Sequence, residues 1–248
     1  MKIGASTLSG FKDDLTSNLE YFEELGIDYG EILHQYPNDE IGPDILDSFN
    51  LKYSIHSPLM NINIASLNKG IRKASIDEIK KSIDLASKID GEIVVVHPGM
   101  IPFLGRGFED KIYDLSRDAI RELGKYGNDL GVTVAIENMP DFEGHLYKNM
   151  FDLNEVLEEY DMYMTLDIGH AYHSGYSPDD MYFDRVRHIH IHDNEGDEDA
   201  HLALGEGSID LKQIIANYEK NKYDGIYVIE VNDKDSVKNS LDYLKNLK

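Results

Sequence analysis

The chain contains no cysteine. Disulfides and thiolate metal sites are therefore excluded, and any metal must be held by His, Asp, Glu or main-chain oxygen. The same absence fits a reducing compartment. Basic residues are scarce: 24 Lys and Arg stand against 47 Asp and Glu, a formal net charge of −23. Basic pairs such as Arg72-Lys73 and Lys80-Lys81 are scattered over helical stretches rather than gathered into a stripe. DNA binding relies on such a stripe to neutralise backbone phosphates, so DNA is disfavoured as a partner. The acidity itself reads as a solvated, self-repelling surface. No apolar run approaches the length of a membrane span or a signal peptide, and the opening MKIGAS runs straight into strand-like sequence. A soluble, cytoplasmic protein with no membrane partner is the expectation. A glycine-rich phosphate loop is also missing after the first strand, where Ser6-Thr7-Leu8-Ser9-Gly10 stands instead. That disfavours a doubly wound open sheet.

What the chain does have is a βα rhythm. Eight β-branched runs, Ile3–Ser6, Tyr29–Ile32, Lys52–His56, Glu92–His97, Thr133–Glu137, Met162–Asp167, Val186–His192 and Gly225–Glu230, read as strands. Between them, stretches such as Asp13–Leu25, Lys69–Ile89, Glu109–Leu130, Phe151–Glu159, Leu211–Asn221 and Asp235–Leu247 place apolar residues at three- and four-residue intervals, as amphipathic helices do. The length of 248 residues suits one α/β barrel. The reading is a single (β/α)8 TIM barrel domain spanning residues 1–248.

In such a barrel the C-terminal ends of the strands converge on one mouth, where active sites lie. Strands three to eight all end in ligand-type side chains: His56, His97, Glu137, Asp167, His190 and Glu230. Asp, Glu and His make up 57 of 248 residues, so accident is a poor explanation for six out of six. Each alone is weaker. A histidine beside a turn, as in His56-Ser57-Pro58 or His97-Pro98-Gly99, is more often hydrogen-bonded than metal-bound. A carboxylate closing an apolar strand, as Glu137 and Asp167 do, is costly unless paired or metal-bound. In Arg187-His188-Ile189-His190-Ile191-His192-Asp193 the period of two puts three histidines on one face. We take His190 as the ligand, with His188 deeper and His192 near the rim, both as candidate substrate contacts. His170, three residues beyond Asp167, and the loop pair Asp199 and His201 could form a separate group, although the run Asn194–Asp199 is acidic enough to be an ordinary solvated loop.

Together these motifs resemble the xylose-isomerase-like barrel superfamily, which includes endonuclease IV and sugar and sugar-phosphate isomerases and epimerases. The resemblance runs from Ile55 to Glu230. It is carried by His56-Ser57-Pro58 with Asn63-Ile64-Ala65-Ser66, His97-Pro98-Gly99, Glu137-Asn138, Asp167-Ile168-Gly169-His170, His190-Ile191-His192-Asp193, Asp199-Ala200-His201 with Leu204-Gly205-Glu206-Gly207, and Ile229-Glu230. It implies one to three divalent metal ions per chain: one at His56, His97 and Glu137; a second at Glu137, Asp167, His190 and Glu230; a third at His170, Asp199 and His201. In the epimerase branch a single metal sits at the second of these, and its two glutamates, here Glu137 and Glu230, serve as acid and base. His and carboxylate ligands suit zinc first, with Mn, Fe, Co or Mg as alternatives. One departure from the nuclease branch is the loop after strand two, His34-Gln35-Tyr36-Pro37-Asn38-Asp39-Glu40, which has no Arg or Lys.

The sequence therefore points first to a divalent-metal-dependent isomerase or epimerase of a sugar or sugar phosphate, acting by metal-assisted proton transfer. The runner-up is metal-dependent phosphoester hydrolysis of the endonuclease IV type at abasic DNA. A silent sugar-binding barrel comes last, because a complete ligand set would then have no chemical use.

Overall fold

The computed structural model describes residues 1–247; the expected domain's last residue, Lys248, lies outside them. Eight parallel strands close into a barrel in simple sequential order, β1 Lys2–Ser6, β2 Tyr29–Leu33, β3 Lys52–His56, β4 Ile93–Val96, β5 Thr133–Glu137, β6 Tyr163–Asp167, β7 Val186–Ile191 and β8 Ile226–Ile229. β1 pairs with both β2 and β8, with Gly4 opposite Tyr29 and Ala5 opposite Ile229, which closes the ring. The expected (β/α)8 fold is the one observed.

The alternation of strand side chains sorts the core into two parts. Val94 and Val96 of β4, Ile189 and Ile191 of β7, and Tyr227 and Ile229 of β8 belong to the large cluster that packs the sheet against the helices. Ile93, Val95 and Ala135 form one small cluster on the other face, inside the barrel, and Tyr29, Ile226 and Val228 form another. Polar residues in phase with this inner set must therefore point into the barrel. Glu31, Ser54, His56, Glu137, Thr165, Asp167, His188 and His190 are in phase, and all are buried.

The outer ring comprises α1 Leu15–Leu25, α2 Pro43–Leu46, α3 Lys69–Lys88, α4 Glu109–Leu130, α5 Met150–Glu159, α6 Ile168–His173, α7 Leu211–Lys220 and α8 Lys234–Asn246. Side-chain caps set several starts: Asp14 accepts from the Ser17 amide, Asp210 from Gln213 and Asp233 from Ser236, each satisfying an amide the helix cannot. α1 ends on Gly26 at φ +71, a left-handed geometry that favours glycine. α2 and α6, with four and six residues, are too short for a helical period to show in sequence. Among the described residues no helix is long and apolar enough to cross a membrane.

Candidate metal centre

The strand ends deliver their carboxylates and imidazoles to one volume at the C-terminal mouth. His56 ends β3, Glu137 ends β5, Asp167 ends β6 and His190 lies next to last in β7. His97 and Glu230 follow β4 and β8 by one residue. Asp167 has two jobs. Its Oδ1 caps α6 by accepting from the His170 amide at 2.7 Å, and this turns His170 back over the mouth. Asn138 locks the neighbouring strand end by accepting from the Asp167 amide and donating to the Asp167 carbonyl, at 2.8 and 3.0 Å.

Four groups of ligand atoms result among the described residues, each with its members within 4.8 Å of one another: His56, His97 and Glu137; Glu137, Asp167, His190 and Glu230; His170, His192, Asp199 and His201; and, deeper in the barrel, Glu31, His188 and His190. Glu137 belongs to the first two. Its Oε2 lies 3.5 Å from His56 Nε2 and 3.0 Å from His97 Nε2, while Oε1 lies 3.0 Å from His190 Nδ1. The same His190 Nδ1 is 2.9 Å from Glu230 Oε2 and 3.8 Å from Asp167 Oδ2. In the third group Asp199 Oδ2 lies 3.2 Å from His170 Nε2 and 3.3 Å from His201 Nε2.

The histidines are oriented by their second nitrogens. His56 Nδ1 donates to the Ser57 carbonyl at 2.8 Å, His170 Nδ1 to that of Asn138 at 2.8 Å, and His201 Nδ1 to that of Glu230 at 2.9 Å. A carbonyl only accepts, so Nδ1 carries the proton and Nε2 turns a lone pair to the centre, which is how imidazole ligates metal. Three carboxylate oxygens facing the groups, Glu137 Oε2, Asp167 Oδ2 and Asp199 Oδ1, are buried without a hydrogen-bond partner. Buried lone pairs of this kind are costly unless a cation meets them, so the donor set fits divalent metal.

Electrostatics agree. Burial alone would raise the Glu137 carboxyl, but His190 and His97 outweigh it and hold the group well below its usual range. Burial opposes charge on His170 and His201, yet Asp167 and Asp199 push the first up to about 10, and Asp199 and Glu230 push the second up to about 9. Without metal, protons hold these groups together.

Two residues considered as substrate contacts are placed elsewhere. His188 has no exposed surface, because the strand period sets it one layer below His190, with Nε2 2.7 Å from Glu31. His192 is also fully buried. It stacks on His201 at 3.9 Å and contacts Asp167 Oδ1 at 3.1 Å, so it joins the third group instead of the rim. The accessible surface lies beside His97, which is 28% exposed and borders a cleft of about 240 Å³ lined by Pro58, Leu59, Ile62, Met100, Met139 and His145. Glu31, which the sequence did not single out, is brought by β2 against His188 and His190. Its signal was a lone carboxylate inside an apolar strand, where burial demands partners.

Residues 19–247 match the xylose isomerase-like TIM barrel family. The chain belongs to that family. A solved structure described as a D-tagatose 3-epimerase-like protein superposes with a TM-score of 0.89 at 31% identity, covering 100% of this chain and 97% of that one. An uncharacterized protein of Methanocaldococcus jannaschii is 32% identical over 255 residues, 96% of this chain and 86% of its own. A probable endonuclease 4 of Natronomonas pharaonis is 25% identical over 239 residues, 84% of each chain.

Proposed function

We propose that this protein is a divalent-metal-dependent sugar epimerase or isomerase. The observation that carries this reading is the pair Glu137 and Glu230, both within 3.0 Å of His190 Nδ1. Together with Asp167 and His190 they make a four-ligand group at the bottom of the mouth. A divalent ion held there would stabilise the negative charge that develops on a substrate carbonyl oxygen when the neighbouring carbon loses its proton. The two glutamates supply the proton chemistry. One carboxylate takes the proton from the carbon beside the carbonyl, and the other, as its acid, returns a proton to the opposite face, inverting the centre. Both carboxylates are buried, which excludes water and sharpens their positioning.

The cleft narrows the substrate. Among the described residues no Lys or Arg lines it, and its walls are apolar apart from His97 and His145. A phosphate would find no cationic partner there, so an unphosphorylated sugar suits it better than a sugar phosphate.

Phosphoester hydrolysis is the second reading, favoured by the three ligand groups at the mouth and by the similarity to a probable endonuclease 4. The net charge of −23 and the unbasic loop after β2 weigh against DNA as its substrate. The deciding assay incubates the metal-loaded protein in D2O with free ketoses, ketose phosphates and an abasic-site oligonucleotide. Deuterium at the epimerised carbon of a free ketose is expected. Strand cleavage without exchange into any sugar would reverse the order of the two readings.

A further inference from the structure

Of the histidines that face the metal groups, His56, His170 and His201 take their orientation from main-chain carbonyls. His190 is turned the other way round, with Nδ1 toward Glu137 and Glu230 and Nε2 toward β2. There Nε2 lies 2.9 Å from Oε1 of Glu31. The contact falls outside hydrogen-bond geometry, so the two atoms face each other as buried groups without a hydrogen-bond partner, while Nδ1 makes its hydrogen bond to Glu137 Oε1 at 3.0 Å. Glu31 is gripped from its other side. Its Oε2 accepts from Ser54 Oγ at 3.0 Å and lies 2.7 Å from His188 Nε2. Glu31, His188 and His190 are all fully buried, so this carboxylate is out of contact with solvent.

We propose that Glu31 is the positioning residue of the metal centre. The inference rests on the metal-dependent reading above. A carboxylate at Nε2 fixes the proton there and leaves Nδ1 as a lone pair; it also makes the imidazole a stronger ligand than a main-chain carbonyl would. His188 and Ser54 complete the device, because their two donors hold Oε2 and leave Oε1 for His190. The strand period makes this possible: Glu31 and Ser54 lie opposite each other in the β2–β3 register and both point inward. His190 is thus the one of these ligands whose orientation depends on a replaceable side chain.

Glu31→Gln tests the assignment, with Glu31→Asp as its charge-conserving control. In Gln the amide nitrogen faces donors on one side or the other, so the grip on His190 is lost while volume is kept. Zinc alone is titrated against a chromogenic chelator, and long-range 1H–15N spectra of the zinc-loaded wild type report which nitrogen of each histidine carries the proton. The expected results are zinc affinity lower by about 10- to 100-fold in Glu31→Gln, partial recovery in Glu31→Asp, and a wild-type His190 protonated at Nε2 while His56, His170 and His201 are protonated at Nδ1. The spectrum needs no variant, so it decides even if Glu31→Gln fails to fold. Zinc affinity within twofold of wild type in Glu31→Gln, or His190 protonated at Nδ1, would overturn the role of Glu31. A wild type that takes up no zinc would instead overturn the metal-dependent reading beneath it.

Discussion

Glu137 touches both of the neighbouring ligand groups, whereas His201 belongs only to the third. Their substitutions therefore separate the two chemistries. Glu137→Gln removes a charged ligand together with a proton carrier, so activity of either kind is predicted to fall by at least about a hundredfold. His201→Ala is predicted to leave epimerisation within about tenfold of wild type. In a hydrolase it would remove charge stabilisation from the transition state and cost several orders of magnitude. Steady-state rates on the responding substrate make the comparison, and equal damage from both substitutions on a sugar would rule out a mechanism confined to the second group.

The same residues set a pH dependence in protein stripped of metal. His170 and His201, pushed up to about 10 and about 9 by neighbours including Asp199, gain stability from being protonated. That stability is fully present below the ordinary imidazole value of about 6.5 and is lost as pH rises through the folded values. The melting temperature of chelated protein is thus predicted to fall between pH 6.5 and 10 by more than that of metal-loaded protein, in which the same imidazoles bind deprotonated. Parallel pH profiles for the two forms would contradict this.

Among elements, α6 carries the most functional weight for its length. It is capped by Asp167, presents His170 and packs Gly169 against His192. That packing depends on Gly169, where an added Cβ would sit 1.9 Å from the His192 ring. Gly169→Ala is predicted to push His192 aside, costing about 1–3 kcal/mol of stability by overpacking and lowering metal stoichiometry. Thermal melts and metal analysis check both, and an unchanged melting temperature would count against the tight seat. This element was not legible in the sequence, because six residues show no helical period. The strands and long helices were legible, since alternation and three-to-four spacing persist over enough residues to be read. The strand-end candidates were legible for the same reason: β3 to β8 each carry a titratable side chain within one residue of the strand's last position. Glu31 escaped because it lies in mid-strand, and its partners His188 and Ser54 become neighbours only when the sheet closes into a barrel. His192 was misplaced because strand phase tells which face a side chain takes and nothing about the helix that covers it.

For the whole molecule, charge and metal act together. At a net of −23 and without a basic stripe, binding to undamaged duplex DNA at physiological salt is predicted to be weaker than about 1 μM. Tighter binding in a titration would promote the nuclease reading. Metal bound to the folded chain alone adds about 2.7 kcal/mol of stability at a hundredfold excess over its dissociation constant. Everything proposed for the mouth depends on a cation meeting the lone pairs of Glu137, Asp167 and Glu230. Crystals grown with saturating Mn2+ and measured above and below the manganese absorption edge test this most directly. An anomalous peak among Glu137, Asp167, His190 and Glu230 is the predicted result, and well-ordered side chains there without any such peak would contradict it.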